Sequence, residues 1–309
     1  MKTKLSGQDR GLLQRREGFL ERRRAFIRQI EGYEEYKDIN LVAQNNVTAD
    51  DAVQCIKDKT MAALVAHGPT SRDGVGLVDY NVSLSVMELA QRLVPGQHGT
   101  LVEFMSKLQK ETAIDPGTGE ALKSDKDILW TDLPSFGYTE LEGWYEYGGD
   151  HQDPCNPDFD PEQRERWVKL NAFLAQLTQA ADVHYESPGE TPCFHPLDKS
   201  LRATWVFEMA FENLEHSPEM LAHTATMEAA CQWFIQAADR LWANVVNGRV
   251  FPQYIETRRD GSKGFERERW DRWARDLRRA EVACSYERMK KLIRDALAHI
   301  KRAMRGHRS

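Results

Sequence analysis

The chain has 309 residues, 41% hydrophobic and 29% charged, enough apolar material for one large or two small cores. Its net charge of −6 is uneven: residues 1–30 carry nine Lys/Arg against three Asp/Glu, residues 258–309 carry seventeen against eight, and the middle is therefore strongly acidic. No run of about 18 apolar residues occurs, no apolar stretch follows the basic N-terminus, and five scattered cysteines suggest no disulfide framework, so neither a membrane span nor a secretory signal is expected and a cytoplasmic protein is.

The first element is predicted as one long helix over about 9–36. Leu12/Leu13, Phe19/Leu20 and Phe26/Ile27 recur every seven residues and form a narrow apolar seam, followed by Ile30 and Tyr33. With its arginines it reads as a basic N-terminal helix (1–40) set on a helical domain (41–309). The seam suits a second helix, so homo-oligomerisation through this element is an expectation. Thr48 with Asp51 resembles a capping box and starts a helix running to about His67. Residues 68–82 read as a loop. Two helices follow, 83–93 and 98–112, broken at Pro95-Gly96.

Residues 113–160 show no sustained helical period and carry the turn-rich runs DPGTGE, LPSFG and YGGDHQDPCNPDFD. A stretch of that length is expected to be a loop or lid insertion, packed down by its aromatics, among them Trp130, Trp144, Tyr145 and Tyr147. Helices resume at Asp160-Pro161-Glu162, a cap, a first-turn proline and a first-turn acid, with Trp167, Leu170, Phe173, Leu174 and Leu177 on one face. Helices over 198–216 and 219–246 come next, then two basic helices over about 265–283 and 285–304. No alternating strand pattern of any length is present. The expected fold is all-α, a single multi-helix bundle or an irregular α-solenoid-like domain with a long central loop insertion.

In the run KGFERERWDRWARDLRRAE, residues 263–281, indoles stand among arginines. Trp270, Trp273, Ala274 and Leu277 fall at core spacing, so the tryptophans are expected to be buried rather than base-stacking platforms. Glu268 with Arg272, and Asp271 with Arg275, stand as i, i+4 pairs; Arg267, Arg269, Arg278 and Arg279 remain for a partner.

These residues also carry a resemblance. Gly264-Phe265, Glu268-Arg269-Trp270 and Trp273 resemble the closing motif of a fungal family of unknown function, DUF3632. The run from Trp167 through Leu170, Asn171, Ala172 and Phe173 resembles its central motif, and Trp205 to Glu212-Asn213 falls at the expected place between them. The resemblance covers about residues 161–305 and, less closely, 45–112. It implies a helical intracellular protein associated with specialised-metabolite biosynthesis, and supplies no catalytic residues.

The internal candidate site is the run RATWVFEMAFENLEH. Glu208, Glu212 and Glu215 stand at i, i+4, i+7 on a helix that is otherwise almost wholly apolar, with His216 four residues beyond Glu212. Buried carboxylates in a row call for a cation or for shared protons. They are expected to hold an amino or guanidinium group, or to do acid–base work, with Trp205, Trp144 and Tyr147 contacting substrate. The plainer alternative pairs these acids with arginines such as Arg202 or those of the C-terminal helices. Arg22, Arg23 and Arg24, with Arg278, Arg279, Lys290 and Lys291, are the expected polyanion contacts. His151, Cys155, Cys193 and His195 match no common zinc spacing, and no metal is expected. Phosphate-loop, dinucleotide-binding, nucleophile-elbow and zincin motifs are missing, so no cofactor is expected.

Acidic interior and basic ends together suit a transferase- or ligase-like enzyme that forms amide bonds on a cationic amino-acid-type substrate, with aminoacyl-tRNA as the polyanionic donor and a cyclodipeptide as one product. A non-catalytic scaffold or adaptor, or a small-molecule carrier, competes with it.

Overall fold

The computed structural model describes residues 7–68, 73–148, 153–185, 195–251 and 264–306, with side chains from residue 17 and excluding those of 147 and 148. Among them are eleven α-helices: α1 (Gly7–Glu31), α2 (Glu34–Ala43), α3 (Ala49–His67), α4 (Val75–Arg92), α5 (Gly99–Leu108), α6 (Pro134–Gly148), α7 (Pro161–Ala180), α8 (Ser200–Phe211), α9 (Ala225–Val246), α10 (Arg267–Ala283) and α11 (Glu287–Gly306). The sole sheet described is a two-residue hairpin, β1 (Lys123–Ser124) against β2 (Asp127–Ile128). The fold is all-α.

The capping chemistry read from the sequence sets several boundaries. Thr48 accepts from Asp51 N, and Asp160 from Glu162 N and Gln163 N with Pro161 in the first turn. Three expectations are corrected. The long first helix breaks at Gly32-Tyr33, so α1 and α2 are separate. The stretch 68–82 is not all loop: α4 begins at Val75, where the buried Val75, Val78 and Val82 repeat on one face. The expected loop over 113–160 contains α6, whose register was hidden because its apolar face is aromatic and its first turn holds Pro134 and Gly137.

α7 and α9 pack along one another at the centre of the molecule. α4 and α6 cover α7 from one side, α11 and α8 cover α9 from the other, and α1 and α2 lie on the outer side of α4. The α7 face expected from periodicity is the core: Trp167, Leu170, Phe173, Leu174 and Leu177 are fully buried. At its heart Asn171 Oδ1 accepts from two indoles, Trp144 Nε1 at 3.2 Å and Trp233 Nε1 at 3.0 Å, tying α6 and α9 to α7. Phe26 and Ile30 of the α1 seam pack onto this same core.

Candidate functional site

The acidic run does not form a row. α8 stops at Phe211, and Glu212 is its C-cap with φ −118° and ψ 12°. Beyond it Asn213 turns back, its Oδ1 accepting from Glu215 N at 2.8 Å and His216 N at 3.0 Å. Glu215 is exposed, and the described partner of His216 is this backbone contact. The helical spacing assumed for Glu215 and His216 therefore fails at the cap, because a short side chain that bonds its own backbone competes with helix continuation.

Glu212 is buried but already held. Arg269 donates Nε to Oε1 at 2.9 Å and Nη2 to Oε2 at 3.1 Å, Arg272 approaches to 3.0 Å, and Trp273 Nε1 donates at 2.8 Å. Glu208, partly exposed, lies 3.7 Å from the same Arg269. Arg269 is itself buried, donates to the Gly264 carbonyl and lies over the Trp273 ring. The guanidinium expected as a guest is thus supplied by the chain. Of the arginines left for a partner, Arg269 holds Glu212, Arg267 binds Asp271, and Arg279 binds Glu219 and Asp276.

The same device recurs. Glu140, fully buried, takes a bidentate bond from Arg202 at 2.7 and 3.1 Å; Glu88 bridges Arg92 and Arg166; Asp198 pairs with Arg249. Three of the clamps join different helices, α6 to α8, α4 to α7 and the α8 C-cap to α10, and the Asp198–Arg249 pair ties the segment before α8 to the one after α9. A carboxylate removed from water needs such partners, and an arginine fork supplies two parallel donors.

The expected aromatic contacts are core residues. Trp144 is buried, bonded to Asn171 and ringed by Trp167 and Trp205 at 5.8 and 5.5 Å. Trp205 is half-buried with Arg202 4.4 Å over its ring. The side chain of Tyr147 lies outside the described residues. Trp270 and Trp273 are fully buried, as their spacing predicted. Gly264, at φ +158°, is needed for a close approach: a Cβ there would sit 2.1 Å from the Arg249 carbonyl oxygen.

The basic residues expected to contact a polyanion separate likewise. Arg23 is buried against Glu146; Lys290 pairs with Glu287 and Lys291 with Asp295. Arg22, Arg24 and Arg278 are exposed. α1 packs on α2 and α4 whereas α10 and α11 pack on α9, so two separate basic surfaces replace a single patch. His151 and Cys193 lie outside the described residues. Cys155 bonds Thr226 and Asn213, and burial pushes its thiol up to about 11; the His195 ring accepts from Leu197 N.

The feature that sequence reasoning missed is a groove of about 960 Å³ walled by α7, α9 and α11. Val94, Val168, Met289 and Leu292 give it apolar surface. Both signs of charge line it: Arg164 and Lys169 from α7, Arg288 and Lys291 from α11, with Glu165, Glu228 and Asp295 beside them. Arg164 spans its end, bonding Glu228 at 3.1 and 3.2 Å and the His223 carbonyl at 2.8 Å. The lining comes from segments more than a hundred residues apart, so no local motif announces it. The sequence signal was limited to the strongly amphipathic pattern of α11.

Residues 84–277 match the family described as a protein of unknown function, DUF3632. The chain belongs to the DUF3632 family. The match runs through 113–160, which the motif resemblance had left out, and stops before α11. No curated protein and no solved structure matches the chain. The family motifs quoted above are explained by packing: Asn171 holds two indoles, Glu212 holds two arginines and an indole, and Gly264 admits the Arg249 backbone. No helix among the described residues is long and apolar enough to cross a membrane, and none of them form a group of three or more metal-ligating side chains.

Proposed function

We propose that this chain is a biosynthetic protein that seats an amino-acid-type substrate, carrying both charges, in the α7–α9–α11 groove. The observation that carries the reading is the groove itself: a large open cleft with apolar surface between facing charges of both signs, the chemistry that holds an ammonium and a carboxylate at two ends of one small molecule. Substrate binding is thereby placed not at the 208–216 run, whose buried acid is held by the chain's own arginines, but at a surface a ligand can reach.

Delivery of that substrate on tRNA for amide formation is favoured by one further feature. The helix that walls the groove is also basic on its outward face, where Arg294, Lys301, Arg302 and Arg305 are exposed, and Arg275 and Arg278 are exposed on neighbouring α10. A polyanion lying there would present its aminoacyl end at the groove.

Isothermal titration with single amino acids and dipeptides tests the first reading, comparing the wild type with an Arg288→Glu/Lys291→Glu double variant. Saturable binding that the variant loses supports it; no heat from any ligand overturns it. Binding of total tRNA across a salt series tests the second: affinity should fall steeply with salt, and no binding at low salt removes it.

A further inference from the structure

At one end of the groove a thiol and an imidazole meet. Cys284 ends α10, and its Sγ lies 3.6 Å from His223 Nδ1. The other ring nitrogen, Nε2, lies 3.5 Å from Ser285 Oγ, and Tyr286 closes edge-on over the imidazole at 4.7 Å. His223 and Tyr286 line the groove, and the buried Cys284 lies behind them, its sulfur within 3.6 Å of the His223 ring and of the Tyr286 carbonyl. Arg164 secures the His223 carbonyl, and Thr224, the next residue, caps α9 by accepting from Met227 N. Residue 223 is thus held between a guanidinium and a helix start, and its ring has few ways to turn.

We propose that Cys284 is a nucleophilic thiol, with His223 as its base, that accepts an acyl group from an activated ester bound in the groove and passes it to an amine. With its proton on Nε2, donated toward Ser285 Oγ, His223 presents the Nδ1 lone pair to the thiol. The thiol proton moves to Nδ1 as sulfur attacks the ester carbonyl. The carbon–sulfur bond forms, the carbon–oxygen bond breaks, and the departing alcohol takes the proton from His223. The amine then attacks the thioester: the carbon–nitrogen bond forms, the carbon–sulfur bond breaks, and the amine's proton returns through His223 to sulfur. No oxidant or reductant enters.

The other described cysteines offer no such arrangement. Cys55 faces the Asp38 carboxylate at 3.2 Å, and Cys155 sits among a hydroxyl, an amide and a carbonyl. Cys231 is fully buried, and burial holds its thiol well above the ordinary range. Cys284 is also covered, but part of its cover is the exposed Ser285–Tyr286 link between two helices, and its sulfur bonds the Tyr286 carbonyl at 3.6 Å. Such a link moves aside at far lower cost than a packed helix.

The inference rests on the groove reading only for the identity of the acyl donor, so its test uses an ester small enough to need no groove. The full chain is treated with p-nitrophenyl acetate, and acetylation is located by peptide mass spectrometry. The expected result is acetyl on Cys284 ahead of every other cysteine, none there in Cys284→Ala, and a rate about a hundredfold lower in His223→Gln. A melting curve matching wild type qualifies the His223→Gln variant. If that variant does not fold, Ser285→Ala, which removes only the Nε2 partner, is expected to slow the reaction instead. Cys284 acetylated no faster than Cys231, or at an unchanged rate in the folded His223→Gln chain, overturns the proposal. Silence of the amino-acid titrations with Cys284 still acetylated would overturn the groove reading alone.

Discussion

The α8–α10 junction and the α7–α9–α11 groove use the same side chains to opposite ends. In both, arginines meet glutamates at bonding distance. At the junction Glu212 and Arg269 are almost wholly removed from water and bonded on every side; in the groove Arg288 is 95% exposed and lies 3.7 Å from Glu228. A desolvated pair has no capacity for a guest, since replacing either member by a ligand leaves the other charge uncompensated in a low-dielectric interior. A solvated pair contributes at most about 1 kcal/mol and can exchange partners. The lesson is that acidic residues in an apolar helix signal burial, and burial argues for an internal clamp before it argues for a site.

The largest test of that contrast is Glu212→Ala. It strands Arg269, and should lower stability by about 3–5 kcal/mol, read from the denaturant midpoint at unchanged slope. A midpoint within error of wild type would return Glu212 to the list of site residues.

Buried groups without such clamps titrate instead, and two of them oppose each other. Asp79, inside α4, accepts from Ser135 N at 3.0 Å, and burial raises its carboxyl to about 6. It takes up its proton in the folded chain first, so its contribution to stability falls as pH rises from about 4 to 6. His98, bonded to the Ala90 carbonyl at 2.9 Å, is lowered by burial to about 4. It takes up its proton in the unfolded chain first, so its contribution rises with pH from about 4 to 6.5. The two slopes nearly cancel in the wild type. Asp79→Asn should uncover the His98 slope, a rise on the order of 3 kcal/mol across that window in chemical denaturation. A flat profile in that variant would show that Asp79 was not offsetting His98.

Asn171→Ala should cost roughly 1–3 kcal/mol by leaving the Trp144 and Trp233 indoles without their acceptor. Fluorescence and thermal melts should report it together, since both probes lie at the same knot.

The smallest stability effect belongs to the groove. Arg288→Ala should change the unfolding free energy by no more than about 0.5 kcal/mol while weakening any groove ligand. A large loss of stability would make the groove wall structural and erase the distinction between the two regions.

Much of the fold was legible because periodicity and caps are local. The α7 face, the Thr48 and Asp160 caps and the buried Trp270–Trp273 stripe follow from spacing alone. α6 was not legible, because Pro134, Gly137 and a run of aromatics blur the apolar period that burial later reveals. The candidate site was less legible still. Glu208 and Glu212 were read as buried acids in want of a cation, with arginines of the C-terminal helices as the plainer alternative; the alternative holds, and the cation is Arg269, 57 residues beyond Glu212. The expected row with Glu215 failed through a single residue, Asn213, whose amide oxygen turns the chain out of helical register.

From its order of residues the chain specifies helices, their caps and the stripes they must bury, since those depend on neighbours three or four positions away. Which charges are neutralised inside, which remain open along a groove, and that Cys284 comes to rest beside His223 depend on contacts across dozens of residues. Such contacts have no sequence spacing to read, because they exist only after α7, α9, α10 and α11 have packed.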